Sequence, residues 1–392
     1  MKKRSLFFLF AFLFGSLVVL NSCSDDDDDD PTPDEENEFT VTANITTNTT
    51  WETGNVYILA GRIAVTSGAT LTIEPGVIVK GQAGTDVNAT ALIIARGAKI
   101  MAEGTATSPI IFTSVADEIE PGEIESPNLT PTLNGLWGGL IILGNAPISA
   151  SAATVGIEGI PADDQNGKYG GTAPADNSGI LKYVSIRHGG SNIGANNEIN
   201  GLTLGGVGSG TVIENIEIVS NQDDGIEWFG GTVNVKNALI WNTGDDAVDG
   251  DQGWTGTLDN FIIINPGDKC FELDGPEGAA VTANYTIQNG SVKAGASAGL
   301  VDNDANTNVN MNKIYFFDIT AQTFDQIPTD YTSVLANFQV TLPAGKTVAD
   351  IFLGGSATYT TAVAAGANTV GADETKFAGW SWAAEADALT GF

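Results

Sequence analysis

IENIEIVSN (213–221), VKNALIWN (235–242) and LDNFIIIN (258–265) are successive copies of one pattern, and they decide the fold. A looser copy follows as TANYTIQN (282–289). Aligning the four copies places one asparagine in each at the same position, and these asparagines recur every 22 to 24 residues: Asn215, Asn237, Asn260 and Asn284. A fixed period of this length is typical of a solenoid, in which each repeat stacks on its neighbour.

The segments between the copies predict what kind of solenoid it is. Each repeat contains short stretches of alternating apolar and polar residues separated by Gly, Asn and Asp, and none contains a ten-residue segment of helical period. The chain must therefore coil, which predicts an all-β fold, a parallel β-helix. One turn rises by one strand spacing, about 4.8 Å, so equivalent side chains stack in ladders.

The charge balance limits the partners. The chain has 48 acidic and 16 basic residues, a net charge of −32. Ten acidic residues precede Phe39, which leaves −25 on residues 39–392. Nucleic acid is excluded as a partner, because phosphate binding needs a basic surface. Cations and neutral sugars remain.

The N-terminus predicts export and anchoring. Residues 1–22 combine MKKR with sixteen almost wholly apolar residues, as in a signal peptide. Leu20–Cys23 resembles the lipobox of bacterial lipoproteins, which implies cleavage before Cys23, lipidation of Cys23 and attachment to the outer membrane. Residues 23–38 form an acidic tether. The run of aspartates after Ser24 resembles the export signal of Bacteroidota-type surface lipoproteins, which implies exposure at the cell surface.

The body divides into a β-helix over residues 39–320 and a C-terminal cap over 321–392, where the repeat is lost. Two polar insertions, 115–135 and 151–179, are expected to project as loops. The wording of GLWGGLIILGNAPIS (135–149), LKYVSIRHGG (181–190) and INGLTLGGVGSG (199–210) resembles right-handed β-helix surface proteins of the pectate-lyase-like superfamily. That resemblance implies a single-stranded, right-handed helix and leaves the chemistry open.

The repeats carry an acidic face. Alignment stacks Asp223, Asp245 and Asp268 in one column and Glu227, Asp249 and Glu272 in another. Stacked carboxylates repel one another and need cations, raised pKa values or splayed side chains. Calcium, which prefers oxygen ligands, is the expected cofactor, with a solvated acidic surface as the alternative. The predicted metal ligands are Asp223, Asp245, Asp249, Asp251, Asp268, Asp302 and Asp304, the last two from an incomplete calcium loop.

A catalytic alternative has a template. NQDDG (221–225) and GDDAVDGD (244–251) resemble the paired aspartates of polygalacturonase-type glycoside hydrolases, which implies acid and base roles for Asp223, Asp245 and Asp246. The Gly-His-Gly and Arg-Ile-Lys segments of that family are missing. A lyase would need a basic residue in this column, where Lys269 stands.

A binding role is the main hypothesis. Trp241 and Trp254 lie in the same coils as the carboxylates, and aromatic rings beside hydrogen-bonding groups are typical of sugar sites. They are predicted to contact a glycan together with Glu227, Asp249 and Glu272. One histidine, His188, and one cysteine outside the lipobox, Cys270, cannot form a transition-metal site. No nucleotide cofactor is predicted.

The sequence therefore predicts a lipid-anchored surface protein that binds glycan or another surface component without catalysis. A polysaccharide hydrolase or lyase is the first alternative. A structural or adhesive protein is the second.

Overall fold

The fold is built mainly from short β-strands. The structure is a computed structural model, which describes residues 37–193, 199–278, 283–330 and 332–392. The predicted signal peptide, Cys23 and nearly all of the tether lie outside these ranges. Residues 37–392 form one unit, so the fold begins two residues before the predicted start at Phe39.

The strands follow one another from Glu38 to Ala362. Those before residue 115 are β1 (Glu38–Val41), β2 (Thr49–Trp51), β3 (Val56–Leu59), β4 (Arg62–Val65), β5 (Thr70–Ile73), β6 (Ile78–Gly81), β7 (Ala91–Ile94), β8 (Lys99–Glu103) and β9 (Ile110–Ser114). The central ones are β10 (Leu140–Leu143), β11 (Val155–Gly156), β12 (Lys168–Tyr169), β13 (Gly179–Arg187), β14 (Leu202–Gly205), β15 (Val212–Val219), β16 (Ile226–Phe229), β17 (Asn234–Trp241) and β18 (Val248–Gln252). The last are β19 (Thr257–Ile264), β20 (Phe271–Leu273), β21 (Tyr285–Lys293), β22 (Asp302–Asn303), β23 (Val309–Phe317), β24 (Val334–Ala336), β25 (Phe338–Val340) and β26 (Thr360–Ala362).

Helices are short. The 3₁₀ helices are Asp86–Asn88, Gln165–Gly167, Val348–Asp350, Ser356–Tyr359 and Glu374–Lys376, and the α-helix α1 is Trp382–Glu385. Within the described ranges, no helix has both the length and the apolar character needed to span a bilayer.

The strands stack into long parallel sheets, which confirms the predicted parallel β-helix. Among the described residues, one sheet has sixteen strands and a second has eight, in the order β22-β20-β18-β16-β14-β10-β7-β4. We call the eight-stranded one the acidic sheet. Every strand pairing in both sheets is parallel, and the small β11–β12 pair, outside both, is antiparallel. Each strand pairs with its equivalent one coil away.

Left-handed residues bend the long strands and give each coil three sides. Strand β13 pairs with β8 before Tyr183 and with β9 after it, and Tyr183 has φ 49°. Asn215 (φ 57°), Asn237 (φ 55°) and Asn260 (φ 59°) occupy the same corner in β15, β17 and β19. Asparagine suits the corner because it tolerates left-handed backbone better than most residues.

The corner asparagines also bond to one another. The Asn237 side chain donates to Asn215 Oδ1 at 3.3 Å, and Asn260 donates to Asn237 Oδ1 at 2.8 Å. The prediction that Asn284 is the fourth corner asparagine is wrong. Asn289 occupies that corner, since it has φ 56° and its neighbours Gln288 and Gly290 pair with Asp259 and Phe261. A longer turn shifts the repeat by five residues at this point.

The insertion at 151–179 packs against the acidic sheet and does not project freely. Ile157, Ile160 and Tyr169 cluster with outward-facing residues of the early strands, including Ile93 and Ile141. The apolar outer face of β7 and β10 is thus covered. The later strands of the same sheet carry carboxylates on their outer face.

Parallel pairing continues beyond the predicted boundary at residue 320. Strand β25 pairs with β23, and β26 pairs with β25, so the ladder extends to Ala362. Tyr315 pairs with Gln339, a spacing of 24 residues. The period persists there, but the Asn- and Asp-rich sequence that made it recognisable in the earlier coils is missing.

Residues 371–392, which we call the strap, pack against the side of the coils. Backbone amides of Trp382 and Ala383 donate to the Glu217 carboxylate at 3.1 and 2.9 Å. Phe377, Trp380 and Trp382 cover a row of outward apolar side chains: Val219, Leu239, Trp241, Ile262 and Ile264. The predicted cap is thus partly further coil and partly a lateral cover.

Candidate functional site

Four carboxylates form one column on the acidic sheet. Strand register pairs Glu227 with Asp249, Asp249 with Glu272, and Glu272 with Asp302. The three expected members are in register, and Asp302 is a fourth that the repeat alignment missed. Adjacent members stand on neighbouring strands, about 4.8 Å apart. The neighbouring Ile226, Val248 and Phe271 point into the core.

The closest approach is in the first two coils of this column. Oxygens of Asp224, Glu227 and Asp249 lie within 4.8 Å of one another. Asp224 and Glu227 are only 7% and 5% exposed. Asp224 was not among the predicted metal ligands, although its neighbour Asp223 was.

A buried asparagine completes this group. Asn200, 1% exposed, donates through Nδ2 to Glu227 Oε2, and its own Oδ1 has no hydrogen-bond partner among the described residues. Asp249 Oδ1 is likewise buried without a hydrogen-bond partner there. Asn200 precedes the clear repeats, so no column in the alignment contained it.

Burial dominates the electrostatics of the acidic sheet. It raises the pKa of Asp224, Glu227 and Asp249 well above the usual range, and neighbouring carboxylates raise these pKa values further. Burial likewise raises the pKa of Asp251 to about 7 and that of Asp274 to about 6, with further increases from acidic neighbours. Burial and mutual repulsion thus shift all five groups toward the protonated form.

Two more carboxylate groups lie at the turns before the strands. Asp223, Asp224 and Asp245 form one, and Asp245, Asp246 and Asp268 form the other, each with oxygens within 4.8 Å. The catalytic candidates Asp223, Asp245 and Asp246 are therefore close together. Lys269 lies beside them, with its ammonium 2.6 Å from Asp268 Oδ1.

Asp246 has a structural task in this turn. It is 1% exposed, and its Oδ1 accepts a hydrogen bond from the backbone N–H of Lys269. Asp224 does the same one coil earlier, accepting from the backbone N–H of Asp246 at 2.9 Å. Burial, and then contact with Glu272, raises the pKa of Asp246 to about 9. These carboxyl groups link successive coils.

Charge is arranged differently on the sixteen-stranded sheet. There the register places Lys182, Glu214, Lys236 and Asp259 in one column of alternating sign. Lys182 and Glu214 form an ion pair at 3.4 Å. The like-charged column of the acidic sheet is thus not a general consequence of stacking.

The asparagines of the predicted calcium loop donate hydrogen bonds to neighbouring backbone. The Asn306 side chain donates to the Pro276 carbonyl at 3.2 Å, and that of Asn308 donates to the Ala283 carbonyl at 2.8 Å. Among the described residues, neither Asp302 nor Asp304 belongs to a group of three metal-binding side chains within 4.8 Å, and neither does Asp251. Of this segment only Asp302 and Asn303 lie in a strand, and Ala305 and Asn306 form a turn.

Both tryptophans predicted to contact a ligand are covered. Trp254 is 1% exposed, stacks on Trp228 at 4.7 Å between ring centroids, and donates through Nε1 to the Val233 carbonyl. Trp241 is 8% exposed and packs edge-on against Trp382 of the strap. Trp254 lies at a corner and Trp241 points outward, but neither is exposed, because the core encloses Trp254 and the strap covers Trp241.

His188 and Cys270 are fully buried. Burial lowers the pKa of His188 and raises that of Cys270 to about 12. His188 Nδ1 lies 2.5 Å from the Leu133 carbonyl oxygen. Neither residue is placed to act as a nucleophile or base on an external substrate.

Comparison with known proteins agrees with this architecture. Residues 43–332 match the family described as "Pectate-lyase like beta helix domain". No curated protein and no solved structure matches the chain significantly. The match covers most of the coils and the whole carboxylate column, and the chain belongs to the family of pectate-lyase-like β-helix domains.

Proposed function

We propose that the protein is a non-catalytic binding protein of the cell surface, whose acidic sheet holds calcium and binds glycan or another surface component. The observation that carries this proposal is the column Glu227–Asp249–Glu272–Asp302, with Asp224 beside its first two members.

Calcium is favoured by the donor set. Asp224, Glu227 and Asp249 supply carboxylate oxygens within 4.8 Å of one another, and Asn200 Oδ1 is an unused neutral oxygen next to Glu227. Hard divalent cations with many oxygen ligands fit this set. A merely solvated acidic surface fits less well, because two of the three carboxyl groups are almost fully buried.

A binding role is favoured over catalysis because the candidate catalytic groups are buried or already paired. Asp246 is buried and bonded to the backbone of the next coil, and the ammonium of Lys269 is paired with Asp268. A general acid or base must reach the substrate's reacting atoms. Hydrolase or lyase activity centred on Asp223, Asp245 and Asp246 remains an outcome of the test.

The location is proposed from the N-terminal sequence. A signal peptide over residues 1–22, lipidation of Cys23 and an acidic tether would place the coils outside the outer membrane. A Cys23→Ala substitution should abolish labelling by radioactive palmitate and release the protein from the membrane fraction. Protease added to intact cells should digest the wild-type coils.

Calorimetric titration of the mature protein with calcium tests the main proposal. Asp249→Asn should remove most of the calcium heat, whereas Glu374→Gln, which removes one charge from the exposed part of the strap, should not. Equal heats for both variants, or none for the wild type, would contradict a calcium site in this column.

Polysaccharides are then added with and without calcium while reducing ends and unsaturated products are followed. Binding without product supports the proposal. Product that disappears in an Asp223→Asn, Asp245→Asn variant would establish an enzyme. No response to any polysaccharide would favour a structural or adhesive role.

A further inference from the structure

A cavity lies between the corner of the sixteen-stranded sheet and the strap, away from the acidic sheet. Its volume is about 360 Å³. We call it the strap groove. Its charged and amide-bearing walls come from Lys236, Asp259 and Asn289 on the sheet side and from Asp373 and Lys376 on the strap side. All of its lining side chains are polar apart from a glycine, so it suits a hydrated, hydrogen-bonding ligand.

The walls of the strap groove are fixed. Asn260 Oδ1 accepts from the backbone N–H of Asp373 at 2.6 Å, and the Asn215 side chain donates to the Lys376 carbonyl at 3.1 Å. Asn260 is itself held by Asn237 in the corner ladder. The ladder therefore positions the strap, and the groove exists before any ligand arrives.

Both carboxylates on these walls are already engaged, whereas one of the two ammonium groups is not engaged within the described chain. Asp259 already accepts from the side chains of Gln288 at 3.1 Å and Asn289 at 2.6 Å. Asp373 accepts from Thr375 and lies 3.7 Å from the Lys376 ammonium. The side chain of Lys236 is exposed, and its ammonium makes no hydrogen bond or ion pair with any described residue.

Lys236 stands out within its own column. Glu214, one coil earlier, is paired with Lys182, and Asp259, one coil later, is bonded to two amides. Lys236 thus keeps an ammonium group that is unpaired among the described residues, at a groove that Lys376 also lines. An ammonium group has three donors and no acceptor, so the complementary ligand must supply negatively charged oxygens.

We infer that the strap groove binds an oxyanion, a carboxylate, sulfate or phosphate group, with Lys236 and Lys376 as charged donors on opposite walls. The volume accommodates such a group together with the small hydroxylated unit that carries it. The body has a net charge of −25, so affinity must come from short-range contacts in the groove and not from long-range attraction.

Calcium is first removed from the mature protein with EDTA, and the EDTA is then removed by buffer exchange because its carboxylates would compete for the groove. Titration in calcium-free buffer then tests this site without calcium on the acidic sheet. The probes are inorganic phosphate, sulfate, glucuronate and glucose 6-phosphate, with glucose as the neutral reference, and affinity is read by calorimetry and by NMR of the lysine side chains. We expect at least one oxyanion to bind and glucose not to bind. Comparison among the four probes identifies the preferred acidic group.

Lys236→Gln should weaken that binding about tenfold or more, because it removes one charge-assisted hydrogen bond. The matched control is Lys182→Gln, in the same column but paired with Glu214 and outside the groove. It should leave affinity unchanged. Both variants should melt at nearly the wild-type temperature, since neither residue is buried.

Three results would overturn the inference: no binding of any oxyanion, equal binding of glucose, or equal losses in both lysine variants. The result is separable from the calcium proposal. Asp249→Asn should lose calcium binding and keep oxyanion binding, whereas Lys236→Gln should do the reverse.

Discussion

Asp249 lies directly one strand above Glu227 on the acidic sheet, with a carboxylate oxygen of each, and one of Asp224, within 4.8 Å of the others. Hydrophobic neighbours on both strands fix this register, because Ile226 and Val248 must both point into the core. The coils thus hold the carboxylates together at an electrostatic cost that a cation would relieve.

Asp249→Asn should stabilise the calcium-free protein. The substitution keeps the shape of the side chain and removes the free-energy cost of protonating a buried carboxyl group in the folded state. We expect a melting temperature several degrees above wild type in EDTA, and little further increase when calcium is added. Differential scanning calorimetry with and without calcium measures both effects, and a lower melting temperature in EDTA would refute the electrostatic account.

The stability of the calcium-free protein should fall as pH rises. Asp246, Asp251 and Asp274 have pKa values raised to about 9, 7 and 6, chiefly by burial. The folded state therefore keeps protons that the unfolded state, with aspartate pKa values of about 3.9, has lost. More protons bound in the folded state means that the free energy of unfolding decreases with pH, over roughly pH 4 to 9.

Calcium should flatten this dependence, because it stabilises the ionised form. Urea denaturation at intervals across that pH range, in EDTA and in calcium, gives the comparison. A free energy of unfolding that is constant or rises across the range in EDTA would show that the buried carboxylates are not protonated in the folded state.

Asn237 contributes to the fold through both its backbone and its amide. Asn237→Ala loses two ladder hydrogen bonds, each worth about 1 kcal/mol, and places a side chain without local hydrogen bonding at φ 55°, at about 1 kcal/mol more. Asn237→Gly loses the same bonds without that strain. Urea denaturation should therefore rank wild type above Gly and Gly above Ala, and equal losses would show that backbone strain is negligible here.

The strap is anchored on a buried ion pair. Glu217 and Arg187 are both fully buried, 3.8 Å apart, and Glu217 also accepts from Ser185 and from two strap amides. Glu217→Gln leaves the Arg187 charge uncompensated, which should cost about 3–5 kcal/mol. Adding Arg187→Met should recover part of the loss, and limited proteolysis should show whether residues 371–392 detach in the single variant.

The repeats made the fold predictable because the period, the alternation and the corner asparagines are all local properties. Aligning them was enough to place Glu227, Asp249 and Glu272 in the same column. The alignment did not place Asp302 in this column, because a two-residue strand, β22, carries too little alternation to align. Asn200 was not predicted as a site residue, because its coil lacks the Asn- and Asp-rich sequence by which the later coils were aligned.

Exposure was less predictable than register. Trp241 does face outward as the alternation predicts, but Trp382 covers it from 141 positions further along the chain. The strap groove has the same origin, since Lys236 and Lys376 line one cavity only after the strap has folded back. Contacts at such separation leave no periodic signal.

The strap also imposes an order of events. Glu217 receives its hydrogen bonds from residues 165 and 166 positions later in the chain. Because synthesis runs from the N-terminus, Val219, Trp241 and Ile264 remain exposed from the time their coils form until residues 371–392 have been made. A chain that stops before residue 371 keeps this apolar side uncovered, so synthesis of the strap is what closes the side of the coils.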